Sequence, residues 1–186
     1  MKILSFIYLS VLCLLAIYFS DKDVDYNPKS LKTEIQKIAE NNEAKKEEIF
    51  IDDSINERYK IRGKYFKLIK TDNIIAYIYI GRVNSCRANG CNSNRIQTLS
   101  ETSEFFDYYV IFDTTKKIKN VNVYNYEATH GQEITVKKWL KQFIGYDGEN
   151  NLVVGKNIDA ISGATISVNG IVNDLQEKTY ILRNLL

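Results

Sequence analysis

Residues 159–167 combine the types needed to hold a phosphate. They read Asp159, Ala160, Ile161, Ser162, Gly163, Ala164, Thr165, Ile166 and Ser167, and they lead from a loop around Gly155, Lys156 and Asn157 into an apolar helical stripe. Small residues let the backbone approach a ligand closely. The first N–H groups of the following helix have no intrahelical acceptor, and the helix dipole makes that end attractive to an anion. Thr165 adds a hydroxyl at the same end. A phosphate-bearing cofactor fits this combination. The residue types by themselves favour a plain helix start, with Ser162 or Thr165 as N-cap and no ligand.

Two other groups carry reactive side chains. Cys86 and Cys91 are separated by Arg87, Ala88, Asn89 and Gly90. Such a close pair is expected to form a local disulfide in an oxidising compartment, ahead of a redox-active dithiol or two free thiols. A metal site would need two further ligands, and His130 is the only histidine of the chain, so no metal centre is expected. His130 stands between Thr129 and Gly131, where it can hydrogen-bond a ligand, respond to pH, or simply be solvated. One histidine among scattered carboxylates gives no acid–base or nucleophilic constellation, so no catalytic residue is assigned.

The elements that must position these groups divide the chain into three stretches. Residues 1–20 contain an uncharged run over 3–20 preceded by Lys2. At about 1.5 Å per residue, a helix of that length roughly reaches across a bilayer core. The run reads as a signal anchor or a signal peptide. A small-x-small cleavage pattern is missing around Ser20, because Tyr18 occupies the expected small position, and Cys13 lacks the small neighbour of a lipoprotein site. An uncleaved anchor is therefore favoured, with the remaining chain outside the cytoplasm on the periplasmic or extracellular side. Residues 21–58 are a charged linker and a stalk or thin covering helix with Leu31, Ile35 and Ile38 on one face.

Residues 59–186 have the texture of a folded domain. Spans 65–70 and 74–83 flank a turn at Thr71, Asp72 and Asn73, and spans 105–112 and 118–126 flank a second turn, giving two hairpins. Phe106, Tyr108, Val110 and Phe112 share one strand face. Val136, Trp139, Leu140 and Phe143 have helical spacing, with Thr135 as a cap and Gly145 as a stop. Val168, Ile171, Val172, Leu175, Leu182 and Leu186 form the stripe of a final helix. The fold class is α+β: an antiparallel sheet of two hairpins with packed helices, preceded by the anchor helix. With 25 basic and 23 acidic residues the chain is nearly neutral, which gives no footprint for nucleic acid.

The pattern Asp159-x-x-Ser162-Gly163-Ala164-Thr165 resembles the flavinylation motif of the FMN-binding domain. That domain occurs in the C subunit of the sodium-translocating NADH:quinone reductase and the matching subunit of Rnf-type complexes. The resemblance extends over about residues 70–180. It implies a flavin transferase that uses FAD and magnesium to join FMN, through its phosphate, to the final Thr of the motif, here Thr165. Asp159 matches the acidic residue that the transferase needs. Thr129, His130 and Gly131 fall where the family often has Thr-Pro-Gly, and His130 departs from that pattern. By this resemblance the cofactor-binding residues are Thr165, Ala164, Gly163, Ser162, Asp159, Thr129, His130 and Gly131. The implied role is an electron carrier with covalent FMN and a redox partner in the same membrane. The alternatives are a flavin-dependent reductase of a small substrate or a dithiol, and a flavin-free binding module. As an electron carrier the chain would not be a stand-alone oxidoreductase.

Overall fold

The computed structural model describes residues 23–85 and 104–186. The order of elements is α1 (Lys29–Ile38), β1 (Lys45–Ile49), α2 (Asp53–Tyr59), β2 (Gly63–Lys70), β3 (Asn73–Asn84), β4 (Phe105–Phe112), β5 (Ile118–Tyr126), α3 (Lys137–Leu140) and α4 (Thr165–Asn184). The strands form a five-stranded antiparallel sheet in the order β1-β2-β3-β4-β5. The α+β class and both expected hairpins are present. The expected N-terminal anchor helix, Cys86 and Cys91 lie outside the described residues. Among the described residues no helix is long and apolar enough to cross a membrane.

β1 departs from the two-hairpin expectation. Its sequence, Lys45 to Ile49, is mostly charged and shows no apolar alternation. It joins the sheet through backbone pairing, which does not depend on side-chain type. Glu47 lies opposite Lys67 in the register, and their side chains pair at 3.2 Å. Charges on an edge strand also discourage pairing with other chains.

Each face of the sheet is covered. On one face Tyr65, Tyr79, Phe106, Tyr108, Val110 and Phe112 meet α3 and α4. On the other, Phe66, Leu68, Ile78, Ile80, Tyr109 and Ile111 meet Leu31 of α1, with Val24, Tyr26, Ile35 and Ile38 packed around them. The helix expected as a stalk or thin cover is thus a cover, and residues 23–58 share the core of the sheet. This layering explains why all eight residues of β4 are buried. The second face carries Phe105, Tyr109 and Ile111 beside Asp107, and α1 covers Tyr109 and Ile111 there.

α4 is the main helical layer. Val168, Ile171, Val172, Leu175, Ile181 and Leu182 are buried on it. Each such side chain contributes about 1.5–3 kcal/mol of burial, set against the entropy of ordering the chain. The helix ends at Asn184, so Leu186 of the expected stripe lies beyond it. α3 is also shorter than its apolar spacing suggests: Val136 takes the N-cap position without a side-chain bond, and a 3-10 turn at Lys141–Phe143 continues it.

Candidate flavin site at the start of the last helix

The approach to α4 is held at several points. Asn157 folds the loop on itself: Val153 N–H donates to its Oδ1 at 2.6 Å, and its Nδ2 donates to the Asn151 carbonyl at 2.9 Å. Ile158 is buried beneath this turn. Asp159 follows, with its side chain exposed and both its backbone polar groups bonded. Its N–H donates to Gln142 Oε1 at 2.7 Å, and its carbonyl accepts from Trp139 Nε1 at 2.9 Å. Gly163 then turns the chain at φ 80°, a backbone conformation that glycine adopts without strain.

α4 starts at Thr165 with Ala164 as N-cap, and no side chain caps it. The alternative of a Ser162 or Thr165 cap is therefore not how this helix begins. Ser162 lies upstream of the Gly163 turn and is exposed, and Thr165 is already inside the helix with its side chain exposed. Backbone donors at the start of a twenty-residue helix are left for an external acceptor, where the dipole favours negative charge.

A cavity of about 220 Å³ opens here, lined by Ser85, Glu104, His130, Gly163, Ala164, Thr165, Ile166 and Ser167. It brings together residues from the end of β3, the start of β4, the loop after β5 and the start of α4. Among these described lining residues there is no Lys or Arg. A phosphate at this position would meet backbone donors and the helix dipole rather than a cationic side chain. A larger cavity of about 410 Å³ lies further along α4 between Arg62, Arg82, Asn173 and Lys178. It contains none of the residues of the 159–165 motif, so size is a poorer guide here than chemistry.

The loop after β5 is fastened to α4 by a small knot. Tyr126 Oη donates to the His130 carbonyl at 2.5 Å and lies 2.8 Å from Ser167 Oγ. Since Tyr126 has one hydroxyl proton, Ser167 is the donor in the second bond. Burial raises the Tyr126 phenol above its ordinary range, opposed by the Ser167 bond. Gly131 has φ 92°, and a Cβ there would sit 2.6 Å from Ser167 Oγ and 2.8 Å from Tyr126 Oη. Both backbone angle and close approach demand glycine. Thr129 Oγ1 donates to Glu104 Oε1 at 2.6 Å.

The structure brings His130 beside Gly163, Ala164 and Thr165 in the cavity lining and leaves Ser162, Asp159, Thr129 and Gly131 outside it; Thr129 touches the lining through Glu104, and Gly131 through Ser167. Ser85, Glu104 and Tyr126 join the site through tertiary contacts that no sequence spacing marks, and Ser167 comes to it from within the motif stretch. Trp139 is buried edge-on against Phe143 with ring centroids 5.3 Å apart. Among the described residues no group of three or more His, Cys, Asp or Glu could hold a metal ion.

Residues 103–178 match the family model of the FMN-binding domain. The match spans β4, β5, α3, the motif loop and most of α4. It supports flavin binding by this part of the chain. A comparison with curated proteins found no match.

Proposed function

We propose, from the match of residues 103–178 to the family model of the FMN-binding domain, that the chain is an extracytoplasmic electron-transfer protein that carries FMN covalently on Thr165. The observation that carries the reading is an exposed Thr165 hydroxyl at an uncapped helix start. The composition of the adjoining cavity supports the covalent form. With Glu104 and no cationic side chain in the described lining, charge alone would hold a free phosphate poorly. A phosphodiester to Thr165 keeps the cofactor in place regardless, at the high effective concentration of a tether.

Attachment balances as a transfer from FAD in the flavin transferase. An Oγ–P bond forms at Thr165, the P–O–P bond of FAD breaks, AMP leaves, and the Thr165 hydroxyl gives up its proton. Asp159 presents a free carboxylate six residues before the acceptor and is the recognition residue in this reading. Bound flavin supplies one- and two-electron redox chemistry. The protein's own part is to fix the phosphate end: Gly163 opens the backbone, the start of α4 faces the phosphate, and the Tyr126–Ser167–Gly131 knot holds the facing loop. The apolar run over residues 3–20 and the single Lys2 ahead of it support a membrane anchor with the domain on the outer side, next to a membrane redox partner.

The test is covalent flavin after denaturation. Full-length wild type, exported from cells that make a flavin transferase, should fluoresce under ultraviolet light on a denaturing gel. Thr165→Ala should be dark, Thr165→Ser partly labelled and Asp159→Ala dark. Fluorescence of Thr165→Ala would move the attachment site elsewhere. A dark wild type beside a competent transferase would leave a flavin-free binding module as the better reading.

A further inference from the structure

We infer that Trp139 and Gln142 are positioning residues for flavin attachment, forming a clamp that holds the transferase recognition residue Asp159 by its backbone. The inference rests on the reading that Asp159 and Thr165 are the recognition and acceptor residues.

Three bonds make the clamp. Gln142 Oε1 accepts from Asp159 N–H at 2.7 Å, and Trp139 Nε1 donates to the Asp159 carbonyl at 2.9 Å. Gln142 Nε2 donates to the Trp139 carbonyl at 3.0 Å, which fixes the orientation of its amide. Both ends of the Gln142 amide are therefore used, and the Asp159 peptide groups have no bonding demand left to meet with the Asp159 side chain. Short polar side chains commonly fold back onto nearby backbone groups. Here that competition is removed, and the carboxylate is left exposed.

The platform itself is rigid. Trp139 is buried against Phe143, and Phe143 and Leu140 belong to the core. Asp159 is consequently anchored to the core next door to a loop in which Ile161 packs on the core while Ala160, Ser162 and Gly163 are exposed. An enzyme that docks on this loop meets the carboxylate already placed relative to the start of α4. Order that exists before binding lowers the entropic cost of docking. Loss of the clamp should therefore weaken recognition of the acceptor and leave the chemical step on Thr165 largely as it was.

Initial rates of flavin attachment, measured on the full-length chain in detergent with purified transferase, FAD and magnesium, test this. Gln142→Met keeps side-chain length and removes both bonds; Trp139→Phe keeps an aromatic ring and removes Nε1–H. Each removes one bond to Asp159 and should raise the half-saturating acceptor concentration about five- to tenfold, since the order that bond maintained must then be imposed on docking. The maximal rate should stay within about twofold, as expected when only ground-state recognition is lost. Hydrogen exchange at the Asp159 amide should accelerate in Gln142→Met. Unchanged half-saturation in both variants, with wild type labelled and Asp159→Ala unlabelled, overturns the clamp and leaves the attachment reading intact. A fall in maximal rate alone, or unchanged exchange at Asp159, also overturns it. An unlabelled wild type overturns both.

Discussion

The two halves of α4 treat polar groups in opposite ways. In its middle, Lys178 is 2% exposed and is paired to Asp174 at 3.2 Å and to Glu177. Tyr108 Oη donates to Asp174 Oδ2 at 2.6 Å, and Tyr65 Oη donates to the Lys178 carbonyl at 3.0 Å. Every charge there has a partner, although the hydroxyls of Tyr79 and Thr179 are buried without hydrogen bonds. At its start, helix donors have no side-chain cap and Thr165 is exposed. A buried charge must be satisfied within the fold or it destabilises the fold strongly. An exposed helix start is under no such demand, because water satisfies it until a ligand does. Unmet hydrogen-bonding capacity at the surface therefore locates the binding end of this helix, while paired charges in the interior identify its structural end.

Alkaline pH should break the structural end first and with the largest effect. Burial raises the phenols of Tyr65, Tyr79 and Tyr108 well above their ordinary range, with Asp174 adding repulsion. The unfolded chain releases these protons near pH 10, whereas the folded chain retains them, so stability present below about pH 10 is lost as pH rises above it. The loss should be about 1.4 kcal/mol per pH unit for each such tyrosine. Urea unfolding midpoints at a series of alkaline pH values, with tyrosinate absorbance in parallel, would show it. A midpoint insensitive to pH would mean these phenols are not held protonated.

Lys178→Met should have the next largest effect. It keeps the apolar stem but leaves Asp174 facing the core without its cation. Breaking a buried pair costs about 3–5 kcal/mol, and Asp174 keeps 19% side-chain exposure, which places this case at about 2–4 kcal/mol. Adding Asp174→Asn should recover part of the loss in urea titrations, since the uncompensated charge goes with it.

Gly131→Ala tests the join between the two halves and the cavity. A positive φ together with contacts to Ser167 and Tyr126 should cost about 1–3 kcal/mol. The same variant should slow covalent flavin labelling, because the knot carries the loop that faces Thr165. The smallest effect belongs to Ser162→Ala. This exposed residue should change thermal stability by no more than about 0.5 kcal/mol, despite its place in the motif. A larger change would show that Ser162 has a structural role at the helix start that its exposure does not reveal.

Strand patterns were legible where apolar residues were dense. The expected spans 105–112 and 118–126 coincide with β4 and β5. β1 escaped notice because Lys45, Lys46, Glu47 and Glu48 carry no apolar signal, and its pairing rests on backbone bonds and on ion pairs to Lys64 and Lys67 of β2. α2 escaped for a related reason: it is short, has no buried residue, and begins on an Asp52 cap that accepts from Ser54 N–H. The apolar face of α1 was readable from Leu31, Ile35 and Ile38, but its target was not, because the sheet face it covers is assembled from β2, β3 and β4.

By itself the sequence determined the motif from Asp159 to Thr165, the helix that follows it and the two hairpins, since each depends on residue type at short spacing. Tertiary structure alone decided what surrounds the motif. Glu104 reaches the cavity because β4 begins there, and Ser85 because β3 ends there. Tyr126 meets Ser167 across 41 positions of chain, and Gln142 meets Asp159 across 17. Such contacts arise from the packing of α3 and α4 on the sheet. Local propensity acts over one or two turns of chain, whereas these bonds exist only once distant segments have been brought together by burial of the core.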